Sequence, residues 1–176
     1  MDAVKIARLT PADAVPYRAL MLQAYATEAD AFTSTVAERE ALALEWWASR
    51  IADEPLAAEL VFGAFGPTGL VGAAGLSFER RERTAHKALL FGMFVRPGFR
   101  GRGIARALVG EVLAAARSRP GTRVVQLTVT EGNAAALRLY QSCGFAAFGI
   151  EPLAMKVGDR FLSKVHMGCV IGGAQA

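Results

Sequence analysis

The chain has 176 residues, 53% of them hydrophobic and 20% charged, a balance that excludes a disordered polymer and can bury a full core in a single domain spanning residues 1–176. Its net charge is +4, and the arginines gather only at Arg80-Arg81-Glu82-Arg83 and from Arg96 to Arg106. Two short clusters suit a solvated loop and a small polyanion, so no nucleic-acid partner is expected.

Taken in chain order, the sequence reads as an α/β domain built around a central sheet. Val4 to Leu9 alternates like a first strand. Thr10-Pro11-Ala12-Asp13 then offers an N-cap, a proline in the first turn and an acidic residue at the third helical position, so a helix starts there and carries Leu20, Met21, Ala24 and Tyr25 inward. The Asp30 to Thr35 region is expected to be a loop before a second helix through Trp46, Trp47 and Ile51, closed by Pro55. Ala58 to Phe65 and Leu70 to Phe78 form two strands joined by the turn sequence Gly66-Pro67-Thr68-Gly69. Lys87 to Val95 is a short apolar run that reads as a buried strand. Ile104, Ala107, Leu108, Val112, Leu113 and Ala116 recur at helical steps, so a helix from Gly103 to about Ser118 rests on the sheet. Val124 to Val129 is β-branched and extended, and Ala134 to Cys143 resumes helical spacing until Gly144-Phe145 ends it. Leu153 to Val157 and Arg160 to Met167 flank Gly158-Asp159 as a last hairpin, and Gly172 to Ala176 reads as a loose tail.

The amino terminus lacks a basic segment followed by an apolar core, and no apolar stretch approaches the roughly 18 residues of a membrane helix. A cytoplasmic protein without a membrane partner is therefore expected. Cys143 and Cys169 have no histidine at metal-ligand spacing, so neither a zinc site nor a disulfide scaffold follows. Arginine outnumbers lysine 16 to 4 and alanine is abundant, a bias of GC-rich bacterial genomes. The apolar composition allows a homodimer.

The most informative segment joins the buried strand to the helix that follows it: Met93-Phe94-Val95-Arg96-Pro97-Gly98-Phe99-Arg100-Gly101-Arg102-Gly103-Ile104-Ala105-Arg106. Glycines at a strand-to-helix turn let backbone amides approach an anion closely, and the first N–H groups of a helix have no partner of their own. Arg100, Arg102 and Arg106 add guanidinium forks that suit phosphate oxygens. Arg106 stands where a dinucleotide fingerprint has its third glycine, and the Gly-Lys-Ser/Thr ending of nucleotide hydrolases is absent, which disfavours nicotinamide, flavin and nucleoside triphosphates. A pyrophosphate cradle and a purely structural turn with solvated arginines remain.

Arg100-x-x-Gly103-x-Ala105 resembles the acyl-CoA pyrophosphate signature of the GNAT family of N-acetyltransferases. A second segment, Asn133-x-x-Ala136-x-x-Leu139-Tyr140-x-x-Cys143-Gly144-Phe145, resembles that family's asparagine, its tyrosine seven residues later and a closing Gly-Phe. The resemblance covers Ala88 to Phe148 closely and the whole chain more loosely. It implies a mixed, mostly antiparallel central sheet flanked by helices, with a splayed strand pair forming an acyl-CoA cleft. It also implies that Met93, Phe94 and Val95 hold the pantetheine arm, and that Arg100 to Arg106 meet the pyrophosphate through amides around Gly101, Gly103, Ile104 and Ala105. Asn133, Ala136 and Tyr140 then complete the acetyl-CoA site, with no metal.

The activity so implied is transfer of an acetyl group to a primary amine by direct attack on the thioester. Tyr140 would donate a proton to the departing thiolate, since a phenol of pKa about 10 stays protonated near neutrality. The backbone N–H of Phe94 or Val95 would polarise the thioester carbonyl. A proton acceptor for the amine is less defined: Glu79 near the end of the third strand comes first, His86 second, and a water chain third. Tyr25, Phe32, Trp46, Trp47 and Phe161 are candidates to line the acceptor pocket, and a small amine, an amino-acid derivative or a peptide amino group all fit. A noncatalytic acyl-CoA-binding regulatory module is the alternative, and a basic RNA-associated protein a distant third.

Overall fold

The computed structural model describes residues 4–172, in which seven strands form one sheet and five α-helices cover it. In chain order these are β1 (Lys5–Arg8), α1 (Ala14–Thr27), α2 (Val36–Glu40), α3 (Leu44–Ser49), β2 (Glu59–Gly66), β3 (Gly69–Phe78), β4 (Lys87–Val95), α4 (Ile104–Ser118), β5 (Val124–Thr130), α5 (Ala134–Ser142), β6 (Ala146–Val157) and β7 (Arg160–Val170). The sheet runs β1-β2-β3-β4-β5-β7-β6, and every neighbouring pair is antiparallel except β4 with β5. The expected mixed, mostly antiparallel sheet is thus present.

Helices cover both faces, which is why the central strands read as continuous apolar runs. On one face Leu108, Val109 and Val112 of α4 pack with Leu76, Leu90, Leu127 and Met167 of the sheet. On the other, Leu20 and Met21 of α1, Trp47 of α3 and Ile51 pack with Val61, Ala73 and Phe94. Helix α1 reaches this core through Ala14, Tyr17, Leu20, Met21 and Ala24, one face at three- and four-residue steps. Its entry is fixed by the Thr10 backbone N–H donating to Asp13 Oδ2 at 2.9 Å, just ahead of the helix.

Two elements differ from the sequence reading. The second helix is broken into α2 and α3, because Ala43 is extended (φ −63°, ψ 156°) and restarts the chain direction, while Thr35 caps α2 separately, its Oγ1 accepting the Glu38 N–H at 3.2 Å as its own N–H donates to Glu38 Oε2 at 2.8 Å. The last hairpin begins at Ala146, well before Leu153. Strand β6 lies at the sheet edge with both faces exposed from Ala146 to Leu153, and its short alternation of Phe148 and Ile150 is cut off by Pro152. Register shifts interrupt it between Glu151 and Met155, and there Leu153 adopts φ 53° beside Pro152. Of the expected tail, residues 173–176 lie outside the described residues.

Leu108 is fully buried at the α4–sheet contact. Leu108→Ala is expected to lower unfolding free energy by about 2–5 kcal/mol, read as a reduced urea midpoint at an unchanged m-value.

Candidate active site

Strands β4 and β5 pair only at Lys87–Val124, Ala88–Val125 and Leu89–Gln126. Beyond Leu89 the two part company: β4 continues on β3 as far as Val95–Gly72, and β5 continues on β7 as far as Thr130–Lys164. The inner edges of Leu90–Val95 and Leu127–Thr130 therefore face each other without a ladder. A β-bulge marks the divergence, since Gly92 and Met93 together oppose the single residue Ala74, with Gly92 at φ 62°. Arg96 donates its N–H to Val71 O on β3 at 2.9 Å, so strand alternation turns the Val95 peptide groups away from β3 and toward the gap.

A cavity of about 430 Å³ occupies the divergence, lined from β4 by Leu89 to Met93 and from β5 by Leu127 to Thr130. Asn133, Ala136, Leu139 and Tyr140 close one side. Their spacing places them on one face of α5, and Asn133 starts that helix by accepting the Ala136 N–H on Oδ1 at 3.1 Å. Tyr140 is 6% exposed, edge-on to Phe145 at 5.7 Å between ring centroids. Burial pushes its phenol above the ordinary tyrosine value, since the phenolate is the form penalised by leaving water.

After β4 the chain makes one 3₁₀ turn, Pro97–Phe99, and reaches α4 through Gly101 at φ 74° and Gly103 at φ 77°. A Cβ at either glycine would meet open space, so the left-handed backbone, and not crowding, is what selects glycine there. The first helical bond runs from Ala107 N to Gly103 O at 3.0 Å, which leaves the amides of Ile104, Ala105 and Arg106 ahead of the ladder. The three arginines are held by protein groups. Arg100 donates Nε to Val95 O at 2.9 Å and Nη2 to Glu28 Oε1 at 2.7 Å, Arg102 donates to Gly98 O at 3.0 Å, and Arg106 donates to Ser142 Oγ at 3.0 Å. Arg100 thus braces the end of β4 against α1, and Arg106 ties α4 to α5.

Glu79 and His86 are not brought to the cavity. The last β3–β4 pair is Phe78–Ala88, so both residues sit in the exposed connection at the end of the hairpin opposite Val95. Nearness to β4 in sequence does not tell which end of the strand faces the cavity. The carboxylate that does line the cavity is Glu59, the first residue of β2, whose Oε2 is 3.3 Å from Arg50 Nε. Its signal in the sequence is a lone acidic residue opening an apolar strand. Of the expected pocket residues, Tyr25, Phe32, Trp46 and Trp47 line the cavity, whereas Phe161 is 58% exposed on β7. Tyr17, Arg39, Arg50 and Lys164 also line it, from elements no motif connects. The Tyr17 and Tyr25 phenols are raised by burial, and the Lys164 ammonium, which donates to Thr33 Oγ1 at 2.8 Å, is lowered by it. Among the described residues, no three His, Cys, Asp or Glu side chains gather as metal ligands.

Residues 21–145, which contain the diverging strands, the glycine turn and Tyr140, match the acetyltransferase (GNAT) family. The chain belongs to that family. The folds of solved relatives agree with it over nearly the whole chain. The GNAT-family acetyltransferase of Streptococcus pneumoniae superposes with a TM-score of 0.79 at 23% identity, over 97% of this chain and 100% of that one. The yncA structure from Salmonella typhimurium, solved with its cofactor acetyl-CoA, gives 0.79 at 22% identity over 99% and 97%. In sequence, the L-amino acid N-acetyltransferase AaaT of Escherichia coli K12 is 32% identical over 103 residues, 58% of this chain. The match spans 62% of that relative's length.

The Arg100 brace can be separated into its parts. Glu28→Gln removes a half-exposed ion pair and is expected to cost no more than about 1 kcal/mol. Arg100→Ala also deprives the Val95 carbonyl of its side-chain donor and should cost about 1–3 kcal/mol beyond that. Urea unfolding of both variants checks the order, and equal losses would contradict it.

Proposed function

We propose that the protein is an acetyl-CoA-dependent N-acetyltransferase, acting within one domain by direct attack of a primary amine on the thioester. The observation that carries this reading is a convergence. Two strands stop pairing, a helix N-terminus with two left-handed glycines follows the first, and a buried tyrosine from the helix after the second closes the same gap. The residues fit the group. The free inner edge of Met93, Phe94 and Val95 suits the amides of a pantetheine arm, as in strand addition. The amides of Gly103, Ile104, Ala105 and Arg106 suit a pyrophosphate, with Gly101 allowing the approach and Arg100 and Arg102 supplying nearby charge.

Acetyl-CoA supplies an activated acyl group; the chain supplies position, charge and protons. The Val95 N–H, turned into the gap, is the donor placed to polarise the thioester carbonyl. Tyr140 donates a proton to the departing thiolate, and its raised pKa keeps that proton in place across the neutral range. A lysine-like amine must lose a proton that costs about 4.6 kcal/mol to remove at pH 7. We assign its removal to Glu59, directly or through a water, instead of Glu79 or His86, because Glu59 is the carboxylate lining the cavity. Asn133 and Ala136 start the helix that aims Tyr140. Retention of Tyr140 within the cavity favours catalysis over the noncatalytic acyl-CoA-binding alternative.

The same reading places the enzyme in a bacterial cytoplasm, supported by the arginine-rich composition and by two free cysteines. It takes the protein as a homodimer joined through the β6–β7 hairpin, supported by exposed Phe148, Ile150, Leu153 and Phe161.

Titration with acetyl-CoA by calorimetry tests the cradle. Gly103→Glu puts a side chain on a left-handed residue and a carboxylate at the helix N-terminus, so affinity should fall about 10-fold or more. Equal affinity of the two proteins would remove the pyrophosphate from this turn. Tyr140→Phe should lower kcat about 100-fold while leaving acetyl-CoA affinity intact. Because burial raises the folded pKa, ionisation of Tyr140 should affect the wild-type rate only above about pH 10. An alkaline limb near pH 8 that disappears in Tyr140→Phe would contradict the assignment.

A further inference from the structure

The ion pair between Arg50 and Glu59 is weak as a bond yet well fixed in position. Arg50 Nε lies 3.3 Å from Glu59 Oε2 with both side chains partly exposed, and a pair of that kind adds little to stability. The Arg50 guanidinium also meets two rings, standing 4.9 Å from the centroid of Trp46 on α3 and 4.6 Å from that of Phe91 on β4. Each ring is anchored in its turn. Trp46 is edge-on to the fully buried Trp47 at 5.1 Å, and Phe91 lies over its β3 partner Gly75, where a Cβ would fall 2.4 Å from the ring. An arginine side chain has many rotamers to lose, and two fixed rings remove that freedom before a substrate arrives. The carboxylate it meets belongs to the first residue of β2, on a wall common to two cavities. One is the divergence of β4 and β5; the other, of about 900 Å³, lies beside Ala57 and Phe78. Without a fixed partner, Glu59 can turn toward either.

We propose that Arg50 is a positioning residue for the reaction: fixed by Trp46 and Phe91, it holds Glu59 in the cavity between β4 and β5, with Oε2 engaged and Oε1 left for the attacking amine. The inference rests on the acetyltransferase reading and on Glu59 as its proton acceptor. The proton passes from the ammonium to Oε1, and the lone pair stays on nitrogen to attack the thioester. Arg50 accepts nothing itself, because a guanidinium keeps its protons. Loss of Arg50 leaves the same carboxylate in the chain but frees it to turn to the second cavity, so deprotonation slows while the acyl donor binds as before.

The experiment measures kcat and KM of the whole protein at neutral pH with acetyl-CoA and two probe acceptors. Benzylamine is protonated there and needs a base, whereas hydroxylamine is already neutral and does not. Arg50→Gln is expected to lower kcat with benzylamine about 10-fold or more, with the KM for acetyl-CoA unmoved and a loss several-fold smaller with hydroxylamine. Arg50→Lys should restore part of the loss, since it returns a cation without the planar face that the rings hold. Phe91→Leu keeps the ion pair and removes one ring, so it should show the same dependence on acceptor at smaller size. It carries the test if dichroism and the thermal midpoint show that Arg50→Gln does not fold. In a Glu59→Gln background, Arg50→Gln should add less than about 2-fold, because a residue acting through Glu59 has nothing left to position. Equal losses with the two acceptors, or losses at Arg50 and Glu59 that multiply, overturn the proposal and leave the acetyltransferase reading standing. Glu59→Gln as fast as wild type with benzylamine, or wild-type turnover of hydroxylamine alone, overturns the proposal together with the assignment of Glu59. A wild-type protein that acetylates neither probe overturns the acetyltransferase reading and the proposal with it.

Discussion

A β-sheet is stabilised by pairing every inner edge, and this one gives up pairing at its centre. After Leu89 and Gln126 the edges of β4 and β5 separate, and an unpaired, buried backbone edge is costly unless something satisfies it. The rest of the fold is arranged so that the cost is contained. Each strand keeps its outer partner over the full length of the gap, β3 for β4 and β7 for β5, so neither frays. The two apolar cores on opposite faces of the sheet bind the halves together through α4 and α1, and Arg100 and Arg106 pin the ends of β4 and α4 to α1 and α5. The opening is thereby braced on both sides, with backbone groups of β4 turned into it.

The bulge at Gly92 shows how local backbone chemistry serves this arrangement. An extra residue in β4 shifts the phase of its last three positions relative to β3, and only a residue tolerant of φ 62° can absorb it. Across from it, Gly75 makes room for the Phe91 ring, since a Cβ there would fall within 2.4 Å of that ring. Phe91 in turn lies against the Arg50 guanidinium at 4.6 Å. A glycine on one strand, an aromatic on the next and a cation from the segment after α3 thus connect the interior of the sheet to the charged wall of the cavity.

Much of this was legible in the chain itself because its signals are local. The glycine turn, the helix stripe of α4, the Asn133 to Phe145 segment and the hairpin around Gly66-Pro67-Thr68-Gly69 each depend on residues within one or two turns of one another. The charged wall of the cavity is different. Arg39, Arg50, Glu59 and Lys164 come from four parts of the chain and acquire meaning only when the sheet order puts β2 and β7 on either side of the gap. Glu79 and His86 show the converse, since they are close in sequence to the key strand yet lie at its far end. The edge strand β6 reads short in the sequence for a physical reason too, because Pro152 interrupts the Phe148 and Ile150 alternation ahead of the register shift.

On the proposed reading, the acyl donor docks in the gap between β4 and β5 and at the turn that follows. Amide hydrogen exchange of the protein with and without saturating acetyl-CoA tests it most directly, because exchange reports which backbone donors gain a partner. Added protection is expected at Met93 and Val95 and at Gly103 to Arg106, with Phe94 and the paired stretches of β2 and β3 unchanged. Protection confined to other segments, or none in a protein that binds acetyl-CoA, would contradict it.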